Sequence, residues 1–163
     1  MDSARQNLRA YYEEEARLRL RKPVTGHRVD LREEFLALLQ AERRRSIVEF
    51  GAGPGRDGEV FVDAGWSMST LMHIPEDEVP ETLSAMTAPL RPGAPLFVGV
   101  WGGDLGDLIG EFGLAGHQRR FSLRTFGVNL RLFAACGKVE HATTWDLGAD
   151  EWQYQVFQLR VGC

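Results

Sequence analysis

Residues 47–58 read Ile-Val-Glu-Phe-Gly-Ala-Gly-Pro-Gly-Arg-Asp-Gly. A short apolar run ends in an acid and breaks into a glycine turn. Ile47, Val48 and Phe50 give strand character; Gly51, Gly53 and Gly55 give the turn. Such a turn after a buried strand lets backbone N–H groups approach a ligand that side chains would otherwise keep away. From Arg56 the chain can start a helix whose first N–H groups face the same ligand.

The rest of the chain constrains what surrounds this turn. At 163 residues the length fits a single domain, with N-terminal helices over 1–42 and a sheet with helices over 46–163. Hydrophobic content of 44% and charged content of 26% are ordinary for a soluble globular chain. A net charge of −4 argues against a general nucleic-acid binder, and Arg43-Arg44-Arg45 reads as a solvated helix end. Cys136 and Cys163 have no zinc or CxxC spacing, which fits a reduced, cytoplasmic setting. No stretch has the length of a membrane span, and the first residues lack the apolar core of a signal peptide.

Periodicity predicts a helix over 4–21, a break at Lys22-Pro23-Val24-Thr25-Gly26, and a second helix over 28–42 that buries Val29, Leu31, Phe35, Leu38 and Leu39. After the glycine turn, 57–64 is expected as a short helix ended by Gly65. Trp66–Leu71 is expected as a strand leading into a loop at His73-Ile74-Pro75. Glu76–Leu90 holds an amphipathic helix with Val79, Leu83 and Met86 inward, and Leu90-Arg91-Pro92-Gly93 is its exit turn. Pro95–Trp101 is continuously apolar, as a parallel strand buried on both faces would be. Gly102–Gly116 reads as a glycine-rich, acidic loop, and Phe121–Thr125 leads to a helix ending near Ala135, with Gly137 beyond it. Two antiparallel strands, 139–145 and 152–161, close the chain. In the second the apolar set moves from Trp152, Tyr154 and Val156 to Phe157, Leu159 and Val161, which suggests a bulge or a change of covered face. Strand–helix alternation followed by a hairpin indicates an α/β fold with a mostly parallel sheet.

The glycine turn admits three readings. It can be a tight structural turn alone. It can be a dinucleotide site, since Gly53-x-Gly55-x-x-Gly58 satisfies GxGxxG; the acids at the required distance, Glu76, Asp77 and Glu78, follow Pro75 and open a helix instead. In the third reading, Glu49-Phe-Gly-Ala-Gly-Pro-Gly resembles the first motif of the class I S-adenosylmethionine-dependent methyltransferases. The resemblance continues through Trp66-Ser-Met-Ser-Thr-Leu-Met-His-Ile-Pro (the fourth-strand segment of that family), Leu90-Arg-Pro-Gly-Ala-Pro-Leu-Phe-Val-Gly-Val (its helix exit and fifth strand), and Phe121-Ser-Leu-Arg-Thr with the closing strand pair.

The resemblance implies a Rossmann-like sheet, S-adenosylmethionine as cofactor, and a small-molecule methyl acceptor. It implies that Glu49, Gly51, Ala52, Gly53 and Gly55 line the pocket for the methionine part, with Ser67 and Met68 beside the sulfonium. Backbone donors suit the methionine carboxylate, and a nearby carboxylate suits its ammonium. The family places about two strand–helix units between the glycine loop and the fourth strand; here only Asp57–Gly65 intervene. The expected sheet therefore lacks the second and third strands and the acid that holds the ribose, which lowers the expected cofactor affinity. It also leaves the first strand as an apolar edge that invites pairing with a second copy, as a homodimer or a non-catalytic oligomer.

Methyl transfer of this kind rests on alignment more than on a base. His73, at the mouth implied by the fourth strand, is the candidate for taking a proton; a loop histidine bonded to nearby backbone is the plainer alternative. His27, His117 and His141 have weaker cases. Tyr11 and Tyr12 suit either a lid or helix packing. Trp66 and Trp101 suit either an acceptor wall or the core. Asp104 and Asp107 suit either a cation or substrate contact or, with no third ligand near them, a solvated loop, so no metal is expected.

Overall fold

The structure, a computed structural model, describes residues 8, 10–15, 27–50, 63–112, 115–146 and 152–162. The helical residues 10–15 come first. They are followed by α1 (His27–Ala41), β1 (Val48–Phe50), β2 (Gly65–Met68), 3-10 turns at Leu71–His73 and Glu76–Glu78, α2 (Val79–Thr87), β3 (Pro95–Gly102), β4 (Gly106–Glu111), β5 (Gln118–Leu123), α3 (Phe126–Ala134), β6 (Gly137–Asp146) and β7 (Gln153–Val161).

Five strands form one sheet in the order β1-β2-β3-β7-β6. β1 runs parallel to β2 and β2 to β3, whereas β7 is antiparallel to both of its neighbours. β6 therefore runs with β1–β3, and the sheet is mainly parallel with an antiparallel closing pair.

β3 explains its own apolar run. Leu96, Val98 and Val100 face α2 and α3 in the main core, with Leu83, Met86, Phe133, Phe157 and Leu159. Phe97 faces the other way, onto Phe35 and Leu39 of α1. Both faces of the sheet are covered by helices, which is why no alternation is visible in this strand. Phe133 and Phe157 meet at 4.7 Å between ring centroids, and Phe126 stacks on Phe157 at 5.2 Å. The change of phase in β7 has the same origin. Tyr154 and Val156 pack toward Leu31 of α1, while Phe157, Leu159 and Val161 join the α2–α3 side. The irregularity in register lies on the partner strand, between Val139 and His141 of β6.

Local chemistry sets the element ends. Pro80 lies in the first turn of α2, where a missing N–H costs nothing. Thr125 caps α3, its side chain accepting from the Val128 N–H. Gly93, at φ +75°, closes the turn after α2, with Ala94 N–H bonded to Arg91 O at 2.9 Å.

Two expectations are corrected. Glycine-rich 102–116 is not simply a loop: Gly106–Glu111 pairs antiparallel with Gln118–Leu123 as a separate hairpin. Its alternation of Leu108 with exposed Asp107 and Ile109 was hidden by the glycines. Asp63 and Ala64 are not helical; Ala64 O accepts from Val48 N–H at 2.9 Å, and Gly65 opens β2 rather than ending a helix. The rest of the expected 57–64 helix lies outside the described residues.

Candidate functional site

The carboxyl ends of β1, β2 and β3 lie side by side, the place where open α/β sheets bind ligands. The chain after β2 is tied there tightly. Thr70 Oγ1 donates to the carbonyl of Phe50, the last residue of β1, at 3.2 Å. Ser69 N–H donates to Gly99 O at 2.7 Å, and Ser69 takes φ +60°. A positive φ at a non-glycine residue costs on the order of 1 kcal/mol and persists only where its surroundings enforce it.

Glu49 is exposed on β1, opposite Trp66 in register. Ser67 is fully buried, and its Oγ has no hydrogen-bond partner. An orphaned buried hydroxyl costs about 1–3 kcal/mol. Met68 is half-buried, with Tyr154 Oη donating toward its Sδ at 3.6 Å. Gly51, Ala52, Gly53 and Gly55 lie outside the described residues. The described residues thus offer an exposed carboxylate on β1 and one unpartnered hydroxyl on β2, which the strand register sets on opposite faces of the sheet.

His73 does not stand free at a mouth. It is 9% exposed. Its Nδ1 donates to Arg120 O at 2.7 Å, and its Nε2 lies 2.6 Å from Tyr12 Oη. Burial, reinforced by the Arg119 charge and opposed by the Arg120 carbonyl, lowers its pKa from 6.5 to about 4. A histidine with both nitrogens engaged and so low a pKa is a poor proton acceptor at neutral pH. The backbone-bonded alternative is the better description of this residue.

Other candidates are absorbed by packing. Trp66 stacks on Phe35 at 5.1 Å, and Trp101 meets Tyr154 edge-on at 5.3 Å. His117 bonds Glu14 at 3.0 Å. Asp107 pairs with Arg120 at 2.8 Å and accepts from Ser122, and no metal-ligating cluster is found among the described residues. His141 is exposed on β6.

Two buried polar groups of residues escape the sequence reading. In one, Arg124 Nη2 donates to Leu71 O at 2.7 Å, Asn129 Nδ2 donates to Gln155 Oε1 at 2.8 Å, and Gln155 Nε2 donates to Arg124 O at 3.2 Å. This network pins the Leu71–His73 turn to β7 and α3. In the other, Arg119 of β5 reaches Tyr11, Tyr12 and His73. The available signal was an arginine at an inward position of the strand Gln118-Arg-Arg-Phe-Ser-Leu.

No protein-family model matches the sequence, and no curated protein matches it. Solved structures do resemble the fold. A SAM-dependent methyltransferase from Methanosarcina mazei aligns with a TM-score of 0.52 at 12% identity, over 62% of this chain and 60% of that one. The 1,6-didemethyltoxoflavin-N1-methyltransferase of Burkholderia thailandensis, solved with 1,6-didemethyltoxoflavin and S-adenosylhomocysteine, aligns with a TM-score of 0.51 at 16% identity, over 86% of this chain and 92% of that one. This chain therefore spans about three-fifths of the first structure and most of the second. The likeness defines a class I methyltransferase fold.

Proposed function

We propose that the chain is an S-adenosylmethionine-dependent methyltransferase acting on a small molecule, cytoplasmic and built as a single domain. The observation that carries this reading is the strained turn Ser69–Thr70, tied to Phe50 at the carboxyl end of β1 and to Gly99 of β3 in a methyltransferase-type sheet. In this reading Glu49 takes the methionine ammonium, and Ser67 and Met68 lie beside the sulfonium. The glycine-loop amides of 51–55 take the carboxylate. His73 is a positioning residue rather than a base.

The reading includes a shortened cofactor half. Only 51–64 separate β1 from β2, and we assign the missing length to the family's second and third strands. Loss of their ribose and adenine contacts weakens cofactor binding, each good hydrogen bond being worth about 1–3 kcal/mol. Isothermal titration with S-adenosylmethionine and S-adenosylhomocysteine tests the reading. Saturable heat with both, and a raised Tm, supports it; no heat and no thermal protection defeats it.

A second reading is favoured by the sheet edge. Among the described residues β1 has one strand partner, and Ile47 beside it is 48% exposed. A non-catalytic remnant that assembles through this edge, as a homodimer or larger, follows from that exposure. Light scattering decides: a strict monomer at high concentration removes this reading.

A further inference from the structure

Arg119 is 8% exposed, and none of its hydrogen-bond partners carries a negative charge. Nη1 donates to Tyr11 Oη at 3.0 Å and to Phe112 O at 3.1 Å; Nη2 donates to Tyr12 Oη at 3.0 Å and lies 3.5 Å from His73 Nε2. Nε is buried with no partner at all. The rings of Tyr11 and Phe121 flank the guanidinium carbon at 4.1 and 4.6 Å. Their faces attract a cation, but they do not neutralise it. The facing titratable groups are Tyr11, Tyr12 and the neutral His73. One step further out, Glu15 accepts from Tyr11 at 3.0 Å, and Glu14 is engaged with His117 at the exposed rim.

A buried guanidinium held by phenols, a carbonyl and an imidazole is a site that favours an anion. A carboxylate forms charge-assisted bonds with it that are about twice as strong as those of a neutral acceptor. The surrounding wall is aromatic. Phe121 lies 5.1 Å from both Phe112 and Trp152, and Trp101 is 6.3 Å from Trp152. This cluster includes Trp101, near the carboxyl end of β3, and Met72, in the turn that follows β2 two residues after Thr70.

We propose that Arg119 is the anion receptor of the acceptor site and that the acceptor is an aromatic carboxylate. Its carboxyl group takes the guanidinium from the phenols of Tyr11 and Tyr12, which otherwise hold the helical residues 10–15 over it. That this ligand is the methyl acceptor rests on the methyltransferase reading; the anion site itself does not.

The probe is benzoate, with benzamide as its neutral counterpart, titrated against intrinsic tryptophan fluorescence with and without saturating S-adenosylhomocysteine. Benzoate gives a saturable change and benzamide none. Arg119→Gln weakens benzoate at least tenfold without altering S-adenosylhomocysteine affinity. Tyr12→Phe removes a competing hydroxyl and tightens benzoate several-fold, an outcome a merely structural staple does not produce. No response to benzoate, an equal response to benzamide, or unchanged benzoate affinity in Arg119→Gln overturns the proposal. If Arg119→Gln does not fold, Tyr12→Phe decides, and unchanged or weaker binding overturns it. If S-adenosylhomocysteine binds and benzoate fails, the acceptor assignment falls alone. If benzoate binds through Arg119 and S-adenosylhomocysteine fails, the cofactor reading falls and the anion site stands.

Discussion

Tyr12 and His73, far apart in the chain, meet through a hydrogen bond of 2.6 Å between the phenol oxygen and imidazole Nε2. The carbonyl of Arg120 can only accept, so the 2.7 Å contact to Nδ1 places the ring proton there. Nε2 is then the acceptor and Tyr12 the donor. One imidazole joins the N-terminal helical segment, the turn after β2 and the β4–β5 hairpin. It does so only while neutral.

This makes the fold acid-sensitive in a defined window. The folded pKa of His73 lies at about 4, below its ordinary 6.5, chiefly through burial. Between those values the unfolded chain binds the proton and the folded chain does not. Stability is therefore full above pH 6.5 and falls as pH drops toward 4, by on the order of 3 kcal/mol at most from this group. Urea unfolding at pH 7.5 and pH 4.5 measures it. His73→Gln lowers stability at pH 7.5 but flattens the difference between the two pH values; an unchanged difference removes His73 as the source.

The network under the same turn leads to a second expectation. A Cβ at Gly102 would lie 2.5 Å from the Arg124 carbonyl oxygen, with the Gln155 amide nitrogen closer still. Gly102→Ala displaces Gln155 from Asn129 and costs about 2–4 kcal/mol through overpacking and broken buried hydrogen bonds. Asn129→Ala costs about 2 kcal/mol by leaving Gln155 Oε1 without its donor. Because both changes act on one network, the double variant costs less than the sum of the two. Denaturant midpoints of the three variants check this, and strict additivity refutes a shared network.

The parts of the fold legible in the sequence are those in which neighbours along the chain carry the pattern. The spacing of Val79, Leu83 and Met86 placed α2, and all three are buried. The unbroken run from Pro95 to Trp101 announced a strand covered on both faces. Leu31, Phe35 and Leu39 marked the inner stripe of α1. The β4–β5 hairpin was not legible, because its glycines and acids imitate a loop and its order comes from cross-strand partners such as Leu108 and Phe121. The site was legible only in part. Ser67 and Glu49 could be placed at strand ends from the motif, whereas the environment of His73 could not. That environment depends on Tyr12 and Arg120, and no local pattern encodes contacts across such separations.

Ser67 carries two opposed expectations that one substitution reads together. Its hydroxyl is buried and unpartnered in the free protein, so Ser67→Ala removes a desolvation penalty and raises stability by about 1 kcal/mol. If the hydroxyl meets the cofactor, the same change lowers S-adenosylhomocysteine affinity by about three- to tenfold. Thermal unfolding and titration on one preparation give both numbers. A more stable protein with unaltered affinity excludes Ser67 from the cofactor site.

The edge strand yields the last expectation. Ile47 and Leu36 are among the few exposed large apolar side chains of the described residues, and Ile47 directly precedes β1. β1 contributes only three residues to the sheet, so an edge-to-edge pairing there gains few backbone hydrogen bonds and depends on apolar burial. A lysine at this position introduces the charge by which natural edge strands avoid association. Ile47→Lys therefore shifts a dimer to monomer in sedimentation at micromolar concentration while changing the unfolding free energy of the monomer by less than about 0.5 kcal/mol, since the side chain lies outside the core. Persistence of the dimer in Ile47→Lys assigns the interface to another surface. A wild-type chain that sediments as a monomer removes the assembly reading altogether.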